Sequence, residues 1–106
     1  GADTVKQSLD NLPDGVCFYT EEGTPILSNI SMNHLCGEIL GTGITNGQEI
    51  WDRLKDARML SENDNYVEHP FILIKLSDGS IWEFQRKRIY LQKKNLWEMT
   101  ACDSMN

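Results

Sequence analysis

The chain has 106 residues, room for one domain and not for two. Its 40% apolar and 25% charged residues are ordinary for a globular protein and exclude a disordered one. The net charge of −6 divides unevenly: residues 1–68 hold 4 Lys/Arg against 12 Asp/Glu, and residues 69–106 hold 6 against 4. An acidic chain repels phosphate backbones, which argues against a nucleic-acid partner.

No apolar run approaches the ~20 residues that cross a bilayer. The longest, Phe71-Ile72-Leu73-Ile74, is strand-sized. Gly1-Ala2-Asp3-Thr4 offers neither a basic n-region nor an apolar h-region, so no secretory signal is expected. Cys17, Cys36 and Cys102 are odd in number and lack C-x-x-C spacing. They read as reduced thiols, not as disulfides or a zinc site. The expectation is a soluble, cytoplasmic domain, whether free or the cytosolic part of a membrane-anchored protein.

In chain order, residues 4–12 read as a helix. Thr4 and Gln7 have capping-box spacing, and Val5, Leu9 and Leu12 make an apolar stripe. Pro13 and Gly15 end it. Strands at 16–20 and 24–28 flank the turn Glu21-Glu22-Gly23, with Pro25 near an edge or start. Asn29 or Ser31 caps a helix that buries Met32, Leu35, Cys36, Ile39 and Leu40 and stops at Gly41-Thr42-Gly43. Asn46 caps another, with Ile50, Trp51, Leu54 and Ala57 inward and Asp52, Arg53, Lys55 and Asp56 toward water. Residues 61–65 read as a polar loop. Strands follow at 71–76, 80–91 and 96–102, joined by Ser77-Asp78-Gly79 and by Gln92-Lys93-Lys94-Asn95. Trp82 and Phe84 share one face of the long strand, with Glu83 and Gln85 on the other. The basic run Arg86-Lys87-Arg88, with Lys93-Lys94, reads as a solvated sheet end.

One domain is therefore expected over 1–106: an N-terminal helix at 1–12, a hairpin at 16–28, a helical segment at 29–60 and a meander at 71–102. The fold class is α+β, a five-stranded antiparallel sheet with helices packed on one face.

Four phrases carry a resemblance. Leu9-Asp10-Asn11-Leu12-Pro13-Asp14-Gly15-Val16 leads into the first strand. Thr24-Pro25-Ile26-Leu27-Ser28-Asn29 ends the second on an Asn before a helix. Leu76-Ser77-Asp78-Gly79-Ser80-Ile81-Trp82-Glu83-Phe84 forms a hairpin, and Leu96-Trp97-Glu98-Met99-Thr100-Ala101-Cys102-Asp103 a closing strand. In this order and spacing the chain, from about Val5 to Asp103, resembles a PAS domain of the kind found in bacterial sensor histidine kinases of two-component systems. One departure is the ending: the family often closes with Asp-Ile-Thr or Asp-Val-Thr, and here Ser104-Met105 follow Asp103.

The resemblance implies a sensory and dimerisation module. It would form a homodimer, here through Val5, Leu9 and Leu12, and relay its signal past Asp103 to a covalently linked effector. If a small molecule binds, it is expected between helix and sheet, lined by Trp51, Leu54, Phe71, Ile74, Trp82, Phe84 and Met99. The plainer reading of these side chains is core. No ligand identity follows from the sequence, so the cofactor stays unknown. A photoactive flavin is argued against because Asn33-His34-Leu35-Cys36 lacks the Arg-Phe-Leu that follows the reactive Cys in that branch. Haem is argued against because neither His34 nor His69 stands on the later helix, where Trp51 and Leu54 are found. No catalytic triad order, P-loop or H-E-x-x-H appears, so the segment is read as no enzyme. The alternative is a free-standing acidic α+β domain that binds a small molecule or a protein.

Overall fold

The computed structural model describes residues 1–59 and 71–104. The loop expected at 61–65 and His69 lie outside the described residues. The elements are α1 (Ala2–Asp10), β1 (Gly15–Thr20), β2 (Pro25–Ser28), α2 (Ile30–Leu40), α3 (Gly47–Ala57), β3 (Phe71–Lys75), β4 (Ile81–Leu91) and β5 (Lys94–Asp103). The strands form one antiparallel sheet in the order β2-β1-β5-β4-β3. The first hairpin and the last meander thus meet at β1 and β5, far apart in sequence.

Alternation along the strands decides what faces the helices. Cys17 pairs with Met99, Phe84 with Ala101 and Ile72 with Phe84, and paired residues point to the same side. All of these are buried, together with Tyr19 and Ile74. Against them lie Met32, Leu35 and Cys36 of α2 and Ile50, Trp51 and Leu54 of α3. Ile39, Leu40, Trp82 and Trp97 pack around this core, partly buried. Hydrophobic burial between the helix layer and the sheet is the main term holding the fold.

Asparagines begin both helices of the middle segment. Asn29 Oδ1 accepts from the Met32 amide at 3.0 Å, and Asn46 Oδ1 from the Glu49 amide at 3.0 Å. Gly41 ends α2 at φ 75°, a left-handed position that glycine adopts without penalty. Pro25 opens edge strand β2, where its missing N–H costs no ladder bond.

Three local expectations differ from the structure. Thr4 and Gln7 form no capping box: Gly1 precedes α1, so Thr4 already sits in the first turn. Ala57, the last residue of α3, is exposed, and Lys55 is half-buried. Lys94 and Asn95 belong to β5 and not to a turn. The turn is Gln92 and Lys93 alone, at φ 52° and 64°, so the ladder runs to Leu91 opposite Lys94. The apolar stripe of the first helix is left largely uncovered in the single chain: Val5 and Leu12 are exposed and Leu9 is half-buried.

Hydrogen bonds hold α1 instead. Asn29 Nδ2 donates to the Leu9 carbonyl at 2.8 Å. Lys6 Nζ donates to Asp10 at 2.7 Å and to the Ser28 carbonyl at 2.8 Å. The Ile30 amide donates to Asp10 at 3.0 Å. Among the described residues no helix is long and apolar enough to cross a membrane.

Candidate functional site

The helix–sheet interface brings together most of the residues expected to line a ligand site. Trp51, Leu54, Ile74, Phe84 and Met99 are buried in one cluster, and Trp82 packs on it, half-buried. Trp82 Nε1 donates to Ser80 Oγ at 3.1 Å, which gives its polar edge a partner at the rim. Phe71 does not join them. It pairs with Gln85, one residue out of phase with the pair Ile72 and Phe84, so it lies on the opposite face of the sheet. Ile72 occupies the place expected for Phe71, because β3 enters the sheet with its even-numbered residues inward.

The structure adds a residue that the sequence hid. Arg86 pairs with Met99, so its side chain shares the helix-facing side. Its guanidinium carbon is 4.8 Å from the Trp51 ring centroid and 4.5 Å from that of Trp97. Both distances are in the range of cation–π attraction. Arg86 Nη1 also donates to Gln48 Oε1 at 2.8 Å. One arginine thus ties two elements that otherwise meet through apolar contact, α3 by Trp51 and Gln48 and the sheet by Trp97. Arg88 lies 4.9 Å from Trp97 and pairs with Glu21 at 3.6 Å, both in exposed positions. Lys87 points the other way and pairs with Glu98 at 3.5 Å. The basic run is therefore split by strand alternation. Lys87 remains a solvated charge, and Arg86 becomes part of the helix–sheet junction.

Tyr19 sits beneath this junction. Its ring is fully buried and stacks on Trp97 with centroids 6.5 Å apart. Gly47, the first residue of α3, rests on that ring so closely that a Cβ there would collide with it. The Tyr19 hydroxyl is buried and finds no hydrogen-bond partner among the described residues. Burial pushes its pKa up, and the adjacent Arg86 guanidinium partly offsets that. Arg86 is near enough to act on the hydroxyl electrostatically without meeting hydrogen-bond geometry.

The remaining expected residues fall elsewhere. His34 is exposed on α2. Cys36 is buried beside Met32 and Leu35, as a core residue. Burial pushes the Cys17 thiol up to about 12 and the Cys36 thiol to about 11. Val5 and Leu9, on α1, and Leu12, just beyond its end, stand apart from the cluster. Asp103 is the last residue of β5 and pairs with Trp82. Just after it, the Ser104 amide and hydroxyl donate to the Ile81 carbonyl at 2.8 and 2.9 Å. The described residues contain no group of His, Cys, Asp or Glu arranged to hold a metal ion.

Architecture and strand order are those of a PAS fold. The PAS domain of an HTR-like protein from Haloarcula marismortui, known from its crystal structure, superposes with a TM-score of 0.54. The match covers 96% of this chain and 90% of that one at 17% sequence identity. No protein-family model matches the sequence. No curated protein matches it either.

Proposed function

We propose that the chain is a sensory and dimerisation module of a signal-transduction protein, of the histidine-kinase kind. It acts from the cytosol through an effector joined after Asp103. The observation that carries this reading is the Arg86 junction in a PAS fold. Beside the apolar core, one charged side chain between two indoles joins α3 to the sheet, and such a contact exchanges more readily than apolar packing. A change at Trp51 or Gln48 then shifts α3 against β4 and β5. Those strands carry the shift to Trp82, Asp103 and Ser104 at the end of the sheet.

Asp103 acts in this reading as the joint, capping whatever helix follows. A lost cap costs about 1 kcal/mol, within the range of coupling energies that bias two-state switches. Homodimerisation runs through the α1 stripe, where Val5 is 54% and Leu12 44% exposed in the single chain. The test is Asp103→Ala in the effector-linked protein, beside the same change in the present chain. The reading expects altered effector output with domain stability nearly unchanged. Unchanged output, or collapse of the domain, would remove Asp103 from the signalling path.

A further inference from the structure

We propose that the Arg86 junction is a receptor for a small carboxylate, which takes the place of Gln48 on the guanidinium and uses the Tyr19 hydroxyl as a second donor. This rests on the sensory reading above and names the ligand class of its site. Three observations meet at one point. Arg86 is held in orientation by Trp51 and Trp97, at 4.8 and 4.5 Å. Its one hydrogen-bond acceptor among the described residues is a neutral amide oxygen, Gln48 Oε1 at 2.8 Å, and no described carboxylate forms an ion pair with it. The fully buried Tyr19 hydroxyl beneath it is an unused donor.

A planar guanidinium matches a carboxylate with two parallel N–H bonds, and such charge-assisted bonds are stronger than the neutral bond to Gln48. Gln48 Oε1 stands where one carboxylate oxygen would stand. Gln48 is already offered another partner, since its Nε2 donates to Asp52 at 3.2 Å. Asp52 is the nearby charge that opposes an incoming anion. It is exposed, and Lys55 at 3.7 Å partly neutralises it. Exchange of Gln48 for the ligand removes the side-chain hydrogen bond between α3 and β4. Binding at this site therefore loosens the contact whose change the sensory reading requires.

The experiment is a titration of the 15N-labelled chain with acetate and then succinate, at constant ionic strength set with chloride. The readouts are the indole N–H signals of Trp51 and Trp97 and the Arg86 Nε–H signal. Saturable shifts of all three are expected. Arg86→Gln abolishes them. Tyr19→Phe keeps the fold and weakens binding. Gln48→Ala tightens binding by about tenfold, because it removes the internal competitor. A purely structural Arg86–Gln48 bond gives no such tightening. Absence of saturable shifts in the wild-type chain, or unchanged or weaker binding in Gln48→Ala, overturns the proposal. Should no carboxylate bind while Arg86→Gln still shifts the Ile81 and Ser104 signals, the receptor fails and the sensory reading stands. Binding whose shifts stay within α3 supports the receptor and contradicts the relay.

Discussion

The guanidinium of Arg86, on the long strand β4, lies over the Trp51 ring of helix α3 at 4.8 Å from its centroid. Trp51 is therefore both core and junction: 95% of it is out of solvent, and its ring face meets a charge. Replacing Trp51 with Ala removes a large buried ring and leaves a cavity beside Ile74 and Phe84. The expected loss is about 3–5 kcal/mol in urea unfolding. A loss below about 1 kcal/mol would mean that the ring does not fill the helix–sheet interface.

Two glycines give opposite expectations. At Gly47 an added methyl group meets the Tyr19 ring, which is held from below by the sheet and stacked on Trp97. Gly47→Ala should destabilise by about 3 kcal/mol, the upper range for overpacking. Gly37 lies within α2 with open space where a Cβ would go. Gly37→Ala should stabilise by about 0.5–1 kcal/mol through helix propensity. Thermal melts of the two variants check both signs.

Asn29 uses all of its hydrogen-bonding capacity in a fully buried position. Its Oδ1 accepts from the Val16 and Met32 amides at 2.9 and 3.0 Å. Its Nδ2 donates to the Leu9 and Asp14 carbonyls, both at 2.8 Å. Asn29→Ala loses a helix cap and leaves buried groups unpaired at the junction of α1, β1 and α2. About 3 kcal/mol of destabilisation is expected. Asn29→Asp keeps the acceptor and loses both donors, so it should recover only part of that loss. Chemical denaturation of both variants orders them, and full recovery by Asp would show that the two carbonyls do not need Asn29.

Asp10 gives an acid-side expectation. The hydrogen bond from Lys6 holds its carboxyl below the ordinary 3.8; burial opposes this, and the Ile30 amide and the Lys6 charge add to the lowering. A carboxyl depressed in the folded state binds its proton more readily when the chain unfolds. Its contribution is thus complete above pH 3.8 and is lost as the pH falls through the lower folded value. Asp10→Asn should therefore flatten the acid limb of the stability curve and leave the curve's shape above about pH 5 unchanged. An unaltered acid limb would show that Asp10 titrates alike in both states.

The order of elements was legible because each carried a local signal. Asn29 and Asn46 marked helix starts, Asp78-Gly79 marked a hairpin, and Trp82 with Phe84 marked an inward face. The β4–β5 turn is blurred in the sequence because Gln92 and Lys93 take left-handed conformations without the Gly or Asn that usually announces them. The expectation for Phe71 fails because an unbroken apolar run such as Phe71-Ile72-Leu73-Ile74 has no polar partner to set its phase. Arg86 reads with the solvated charges because its neighbours are charged. Strand phase, counted two residues on from Phe84, puts it inward and is the signal that was available. The Tyr19 hydroxyl had no signal at all: whether a buried phenol finds a partner depends on how α3 docks, and one sequence does not specify that.

The central claim is that the Arg86 junction is coupled to the end of the sheet. Backbone amide hydrogen exchange of the wild-type chain and of Arg86→Gln measures this most directly. Coupling requires faster exchange in α3 together with altered protection of Trp82, Asp103 and the Ser104 amide that bonds the Ile81 carbonyl. Faster exchange confined to α3, with β4 and β5 protected as before, would contradict it.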